Sequence, residues 1–160
     1  MIRILSLFAL LTLALPAVAQ TNIDLGGIAA DPDAPVEVTA DNLNVDQDTG
    51  TAVFSGNVVI GQGDLRLSAP EVRVTYAAET GDITRLQATG GATFATATEA
   101  AEAQSAEYDL ASGLLTLNGD VLLTQGQSAL SADNMVLDLN AGTAQMSGRV
   151  RTVFQQDGNN

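Results

Sequence analysis

Phe54-Ser55-Gly56-Asn57-Val58-Val59-Ile60-Gly61-Gln62-Gly63-Asp64-Leu65-Arg66-Leu67-Ser68-Ala69 decides how this chain folds, because the stretch occurs twice. Its echo is Leu117-Asn118-Gly119-Asp120-Val121-Leu122-Leu123-Thr124-Gln125-Gly126-Gln127-Ser128-Ala129-Leu130-Ser131-Ala132, at an offset of 63 residues. Extended outward, Asp46–Val74 overlays Asp109–Leu137 without a gap, and nine of the 29 positions are identical. Unrelated segments would share about two. Most of the remaining apolar set swaps one apolar residue for another, as at Phe54/Leu117, Ile60/Leu123 and Val74/Leu137. A fixed internal period means one supersecondary unit laid against copies of itself over a shared core.

The unit is built of strands. Val36 and Val38, then Leu43 and Val45, Ala52 and Phe54, Val58 and Ile60, Leu65 and Leu67, and Val72, Val74 and Tyr76 recur at period two, most with a polar residue between them. Asp46–Gly50, Gly56-Asn57, Gln62–Asp64 and Glu79–Asp82 carry the glycine and Asx residues that mark turns. Strands of about four to seven residues at such spacing predict an all-β domain with one dry and one wet sheet face. Glycines six apart (Gly50 and Gly56, Gly113 and Gly119, Gly142 and Gly148) predict a module of turn, five-residue strand and turn. A weaker copy runs from Ala69 through Gly81 to Gly90, and another from Ala132 through Gly142 to Gly148. One window departs from the pattern. Ala97–Ala106 has helix-forming composition without an apolar stripe, and reads as a loop or irregular edge between the halves, with a short helix as the alternative.

The ends organise themselves differently. Residues 1–19 read as a cleaved signal peptide: Arg3 supplies the positive start, Ile4–Leu15 the apolar run, and Ala17-Val18-Ala19 the small-residue cleavage site. Residues 20–35 read as a flexible lead-in, 36–154 as the domain and 155–160 as a disordered polar tail. The expected product is exported and soluble.

Composition excludes most chemistry. Six basic residues, all arginine and one of them in the signal, face nineteen acids. A nucleic-acid partner and passive adhesion to an anionic membrane are thereby excluded, because both need a basic face. Any anionic amphiphile must be held by its apolar part. Histidine, lysine and cysteine are absent, which removes the usual catalytic bases, the thiol nucleophile and the preferred zinc ligands. Asp46-Gln47-Asp48-Thr49-Gly50 fails as a calcium loop: its glycine comes one position early and its twelfth position is Asn57. Gly61-Gln62-Gly63 opens no helix and is no phosphate cradle. Arg66, Arg73 and Arg85 read as salt-bridged surface residues. The chain is expected to be no enzyme and to need no cofactor or metal.

The strand Phe54-x-Gly56-Asn57-Val58, the Gln62-Gly63 turn and the Leu67-Ser68-Ala69-Pro70 start resemble the LptA/OstA-like family. So do the second copy and the strand Pro35–Asp41, so the resemblance spans about Val36 to Phe154. It implies an OstA-like β-jellyroll: an open, V-shaped roll of stacked antiparallel hairpins with internal repeats and an apolar interior. It implies a periplasmic lipopolysaccharide-binding transport protein that bridges inner and outer membranes. Copies would stack head to tail, with strands around Met135–Phe154 as the C-terminal docking edge, and pass lipid A acyl chains along the groove. The partners implied are the inner-membrane-anchored and outer-membrane components of the transport machinery. By matched position, Val36 and Val38 fall at the N-terminal mouth of the groove. Phe94, Tyr108 and Leu110 fall mid-roll, and Phe54, Ile60, Leu117 and Leu123 form a symmetric inner set. An inner-membrane-anchored relative would keep its first helix uncut, against Ala17–Ala19. A secreted β-solenoid that binds polysaccharide or serves as a structural surface protein is the alternative, but the Asx ladders of such solenoids are missing. A monomeric lipid binder and a glycosidase working with carboxylates alone are further alternatives.

Overall fold

The computed structural model describes residues 22–24 and 34–153. The expected signal peptide, most of the lead-in and the tail therefore lie outside the described residues. Eleven strands follow one another: β1 (Asn22–Asp24), β2 (Glu37–Thr39), β3 (Asn42–Asp46), β4 (Thr51–Gln62), β5 (Leu65–Tyr76), β6 (Ile83–Ala95), β7 (Glu99–Asp109), β8 (Leu114–Gln125), β9 (Ser128–Asp138), β10 (Thr143–Ser147) and β11 (Arg151–Val153). They form one sheet in the order β1-β10-β9-β8-β7-β6-β5-β4-β2, with β3 also on β4 and β11 also on β9. Neighbours are antiparallel throughout. The sheet does not close: β2 and β3 lie end to end along one edge, β1 and β11 along the other.

The strands are longer than the glycine spacing suggests. β4 to β9 run for 11 to 13 residues each, so Gly56-Asn57 is no turn. It lies inside β4, where the register with β5 slips between Ser55 and Val58. The same slip recurs in the next four pairs: at Ser68/Glu71, Thr89/Ala92, Glu102/Ser105 and Asn118/Val121. A bulge inserts residues that the partner strand does not match, and so bends the strand. Aligned across the sheet, the bulges fold it along one line into two walls. The first wall carries Thr51–Ser55 of β4 and its neighbours; the second carries Val58–Gln62 and its neighbours. Gly56 and Asn57 reach φ values of 79° and 49°, and Gly119 and Asp120 repeat this at 81° and 47°. A side chain at Gly56 would also meet Asp41 at 2.6 Å, so glycine is required there twice over. Gly50, Gly81, Gly113 and Gly142 serve instead in the turns at the rim of the first wall. Three of those turns are closed by Asx caps: Asp46 Oδ1 accepts from the Asp48 N–H at 2.9 Å, Asp109 Oδ1 from the Ser112 N–H at 2.9 Å, and Asp138 Oδ1 from the Asn140 N–H at 3.0 Å.

Ala97–Ala106 is neither loop nor helix. Most of it is β7, a central strand paired on both sides. Its alanines are fitted to their neighbours: Ala101 stands between Phe94 and Leu123, and Ala106 between Ala88 and Leu117. A small inward side chain leaves room for the large ones beside it, and two ladders of hydrogen bonds outweigh a propensity worth a few tenths of a kcal/mol per residue.

Candidate functional site in the apolar interior

Inward parity collects the large apolar residues into rows that cross the strands. On the first wall Phe54, Val72, Ala88, Ala106, Leu117, Met135 and Met146 are successive register partners from β4 to β10. On the second wall the row is Val38, Ile60, Leu67, Phe94, Ala101, Leu123 and Leu130, from β2 to β9. The two rows face one another, and together they run along the fold line from one sheet edge towards the other. Ile60, Phe94, Leu117 and Leu123 are fully buried, and Val36, Val38, Phe54 and Leu110 are half-buried against them. Tyr108 lies one row nearer the first wall's rim, beside Leu86 and Leu115. All nine residues singled out in the sequence thus lie on or against one surface.

That surface is closed on itself. A pocket between the walls, bounded among others by Val36, Ile60, Leu67, Leu86, Phe94, Leu115 and Leu139, holds about 10 Å³, room for about one water. An apolar guest can enter only if the walls part.

Two buried polar side chains escape a reading based on hydrophobic alternation, Gln62 and Glu99. Gln62 is the last residue of β4 and shares the inward parity of Ile60. Its Oε1 accepts from the Tyr108 hydroxyl at 3.3 Å, a bond that joins the two walls. Its Nε2 donates to the Ala34 carbonyl at 3.3 Å, just ahead of β2. Burial raises the Tyr108 phenol above its ordinary range, so the hydroxyl stays a donor. Glu99 opens β7 on the inward side. Burial pushes its carboxyl up, but donors from Thr96, Thr98 and Gln125 outweigh burial and hold it below the ordinary range. The recurrence of Gln62 as Gln125 was the available signal: a turn needs no glutamine, whereas an inward strand end can use one.

Apart from Glu99, the charged side chains of the described residues lie outside the core. Arg85 pairs with Glu107 at 3.5 Å and Asp109 at 3.7 Å, as expected of a surface cation. Arg66 instead donates to the Gly63 carbonyl at 2.6 Å. Among the described residues no cluster of acids is arranged to hold a metal ion.

A bent antiparallel sheet with open edges and an apolar seam between its walls defines the class, an open β-jellyroll. The chain belongs to the family described as LptA/(LptD N-terminal domain) LPS transport protein, whose model matches residues 37–150. It is similar to the lipopolysaccharide export system protein LptA of Haemophilus influenzae, 28% identical over 135 residues and covering 78% of each chain. An uncharacterised protein of Rhizobium meliloti is 26% identical over 151 residues, covering 87% of this chain and 81% of its own. The fold matches the crystal structure of LptH, the LptA-homologous periplasmic component of the lipopolysaccharide transport device of Pseudomonas aeruginosa, with a TM-score of 0.71. That match covers 79% of this chain and 99% of LptH at 19% identity.

Proposed function

We propose that this chain is a periplasmic carrier that holds lipopolysaccharide by its acyl chains and passes it between inner and outer membranes. The observation that carries the reading is the pair of facing apolar rows, which crosses the strands of an open sheet from β2 and β4 at one edge to β9 and β10 near the other. A guest lying along them would touch Val38, Phe54, Ile60, Phe94, Leu117 and Leu123, with Val36, Tyr108 and Leu110 beside them. Transfer between carriers then needs rows in register from copy to copy. Head-to-tail stacking supplies that by adding strand to strand, β3 and β11 being edges able to pair. Leu43 and Val45 on β3 are more than half exposed, as is Val153 on β11, which suits a contact completed by a second chain. The same edges would meet the membrane-anchored and outer-membrane members of the machinery. No covalent chemistry is required, in keeping with a transport family. The relatives' names, an export protein and a periplasmic component, support both the cargo and the location.

The test is photocross-linking to lipopolysaccharide from a photoreactive residue at Phe94 or Leu117, with exposed Thr93 as the outward control. Adducts from the inward positions alone are expected. Adducts from Thr93 only, or from none of the three on a folded protein, would sink the groove reading.

A further inference from the structure

The cross-wall bond joins two strand ends, and both lie far from the fold line. Gln62 is the last residue of β4 and Tyr108 the last but one of β7, so the contact sits at the mouth of the V. The bulge row holds the walls together covalently at the apex; at the mouth only side chains hold them. Apolar contacts there can slide and be replaced by a guest's methylenes at little cost, because dispersion and burial are non-directional. A hydrogen bond between two buried groups cannot. The amide does more than meet the phenol: its second bond pins Ala34, and with it Val36, which bounds the remaining space between the walls. One side chain thus ties the first wall, the second wall and the segment ahead of β2. Its repeat copy Gln125 is engaged differently, with Glu99 on the neighbouring strand of its own wall, so it adds no second tie across the mouth.

We propose that Gln62, bonded to Tyr108 and Ala34, is a latch that holds the groove shut without cargo and must open for an acyl chain to enter. The proposal rests on the transport reading above, for without an apolar guest there is nothing for a latch to admit. The consequence is opposite in sign to that of an ordinary lining contact. If the empty protein is held mostly closed, cargo binds only the open fraction, and weakening the latch raises that fraction and the apparent affinity together. Loss of one neutral hydrogen bond shifts such an equilibrium by about three- to tenfold.

Tyr108→Phe removes the hydroxyl and keeps the ring; Gln62→Met keeps the length and removes both polar groups. The absence of tryptophan leaves only weak tyrosine emission, so binding of a fluorescent long-chain fatty acyl probe can be followed with little protein background. Each variant should melt a few degrees lower than the unmodified protein, yet bind the probe about three- to tenfold more tightly. Amide exchange at Glu37–Thr39 should quicken in Gln62→Met, which also frees Ala34. Lower stability with unchanged or weaker probe binding in both variants would overturn the latch and leave the pair as core. Failure of the unmodified protein and both variants to bind would overturn the carrier reading and the latch with it.

Discussion

At the scale of single residues, the two copies solve the bulge with the same pair of positions and opposite chemistry. Asn57 donates its amide to the Asp41 carboxylate at 2.8 Å; 63 residues on, Gln104 donates to Asp120 at 2.7 Å. Donor and acceptor have exchanged strands while the bridge has stayed. Asn57→Asp alone would set two carboxylates against each other across the fold line. It should lower the melting temperature by a few degrees, about 1 kcal/mol of stability, and Asp41→Asn added to it should recover most of the loss. Thermal unfolding of the two single variants and the double variant checks this; independent, additive effects would show that the bridge contributes nothing. Residue parity was legible from the sequence, because Phe54, Ile60, Leu117 and Leu123 recur at period two with Ala52, Val58, Leu115 and Val121. Gln62 and Glu99 were not: a pattern read from apolar residues is blind to a polar side chain at an inward position.

At the scale of elements, a glycine has two meanings that spacing alone does not separate. Gly50 and Gly56 each reach positive φ, yet one closes a turn and the other bends a strand that continues. The difference is set by the partner strand, through the slip between Ser55 and Val58, and a partner is a tertiary fact. The same holds for β7, whose alanines carry no strand signal until Phe94 and Leu123 stand beside them. The edges are a separate matter. β3 presents Leu43 and Val45 to solvent at 55% and 56% exposure, a liability for a solitary protein. On the head-to-tail stacking proposed above, replacing both with lysine should leave the fold and its melting temperature nearly unchanged while abolishing concentration-dependent assembly, read by light scattering coupled to size-exclusion chromatography. Assembly that survives the double change would place the docking contact elsewhere.

At the scale of the whole molecule, the chain carries a net charge of −13 at neutral pH around a largely apolar seam, with Glu99 as its one buried charged group among the described residues. Backbone N–H groups of Thr49 and Ser112 lower the carboxyl groups of Asp46 and Asp109 below their ordinary range. Glu99, opposed by burial but bonded three times over, is lowered too. A carboxyl whose folded value is depressed stabilises the fold fully above its unfolded value, about 4, and loses that contribution as the pH falls through the folded one. Stability should therefore drop below about pH 4. Glu99→Gln, which cannot titrate, should drop less steeply over the same interval in urea titrations at each pH. Identical acid limbs would remove Glu99 from the account. What the sequence made plain at this scale was the repeat; what it hid was that the walls meet, since no pattern along a chain reports the gap across a fold line. The repeat has one more consequence. Each 63-residue period adds four strands, β4 to β7 in the first copy, and therefore about 19 Å of roll at the usual strand spacing. The cross-section stays the same however many periods are added. The chain is in this sense a ruler with whole-number marks: its reach grows by whole antiparallel hairpins that each carry the bulge, as two of them do within Asp46–Tyr108.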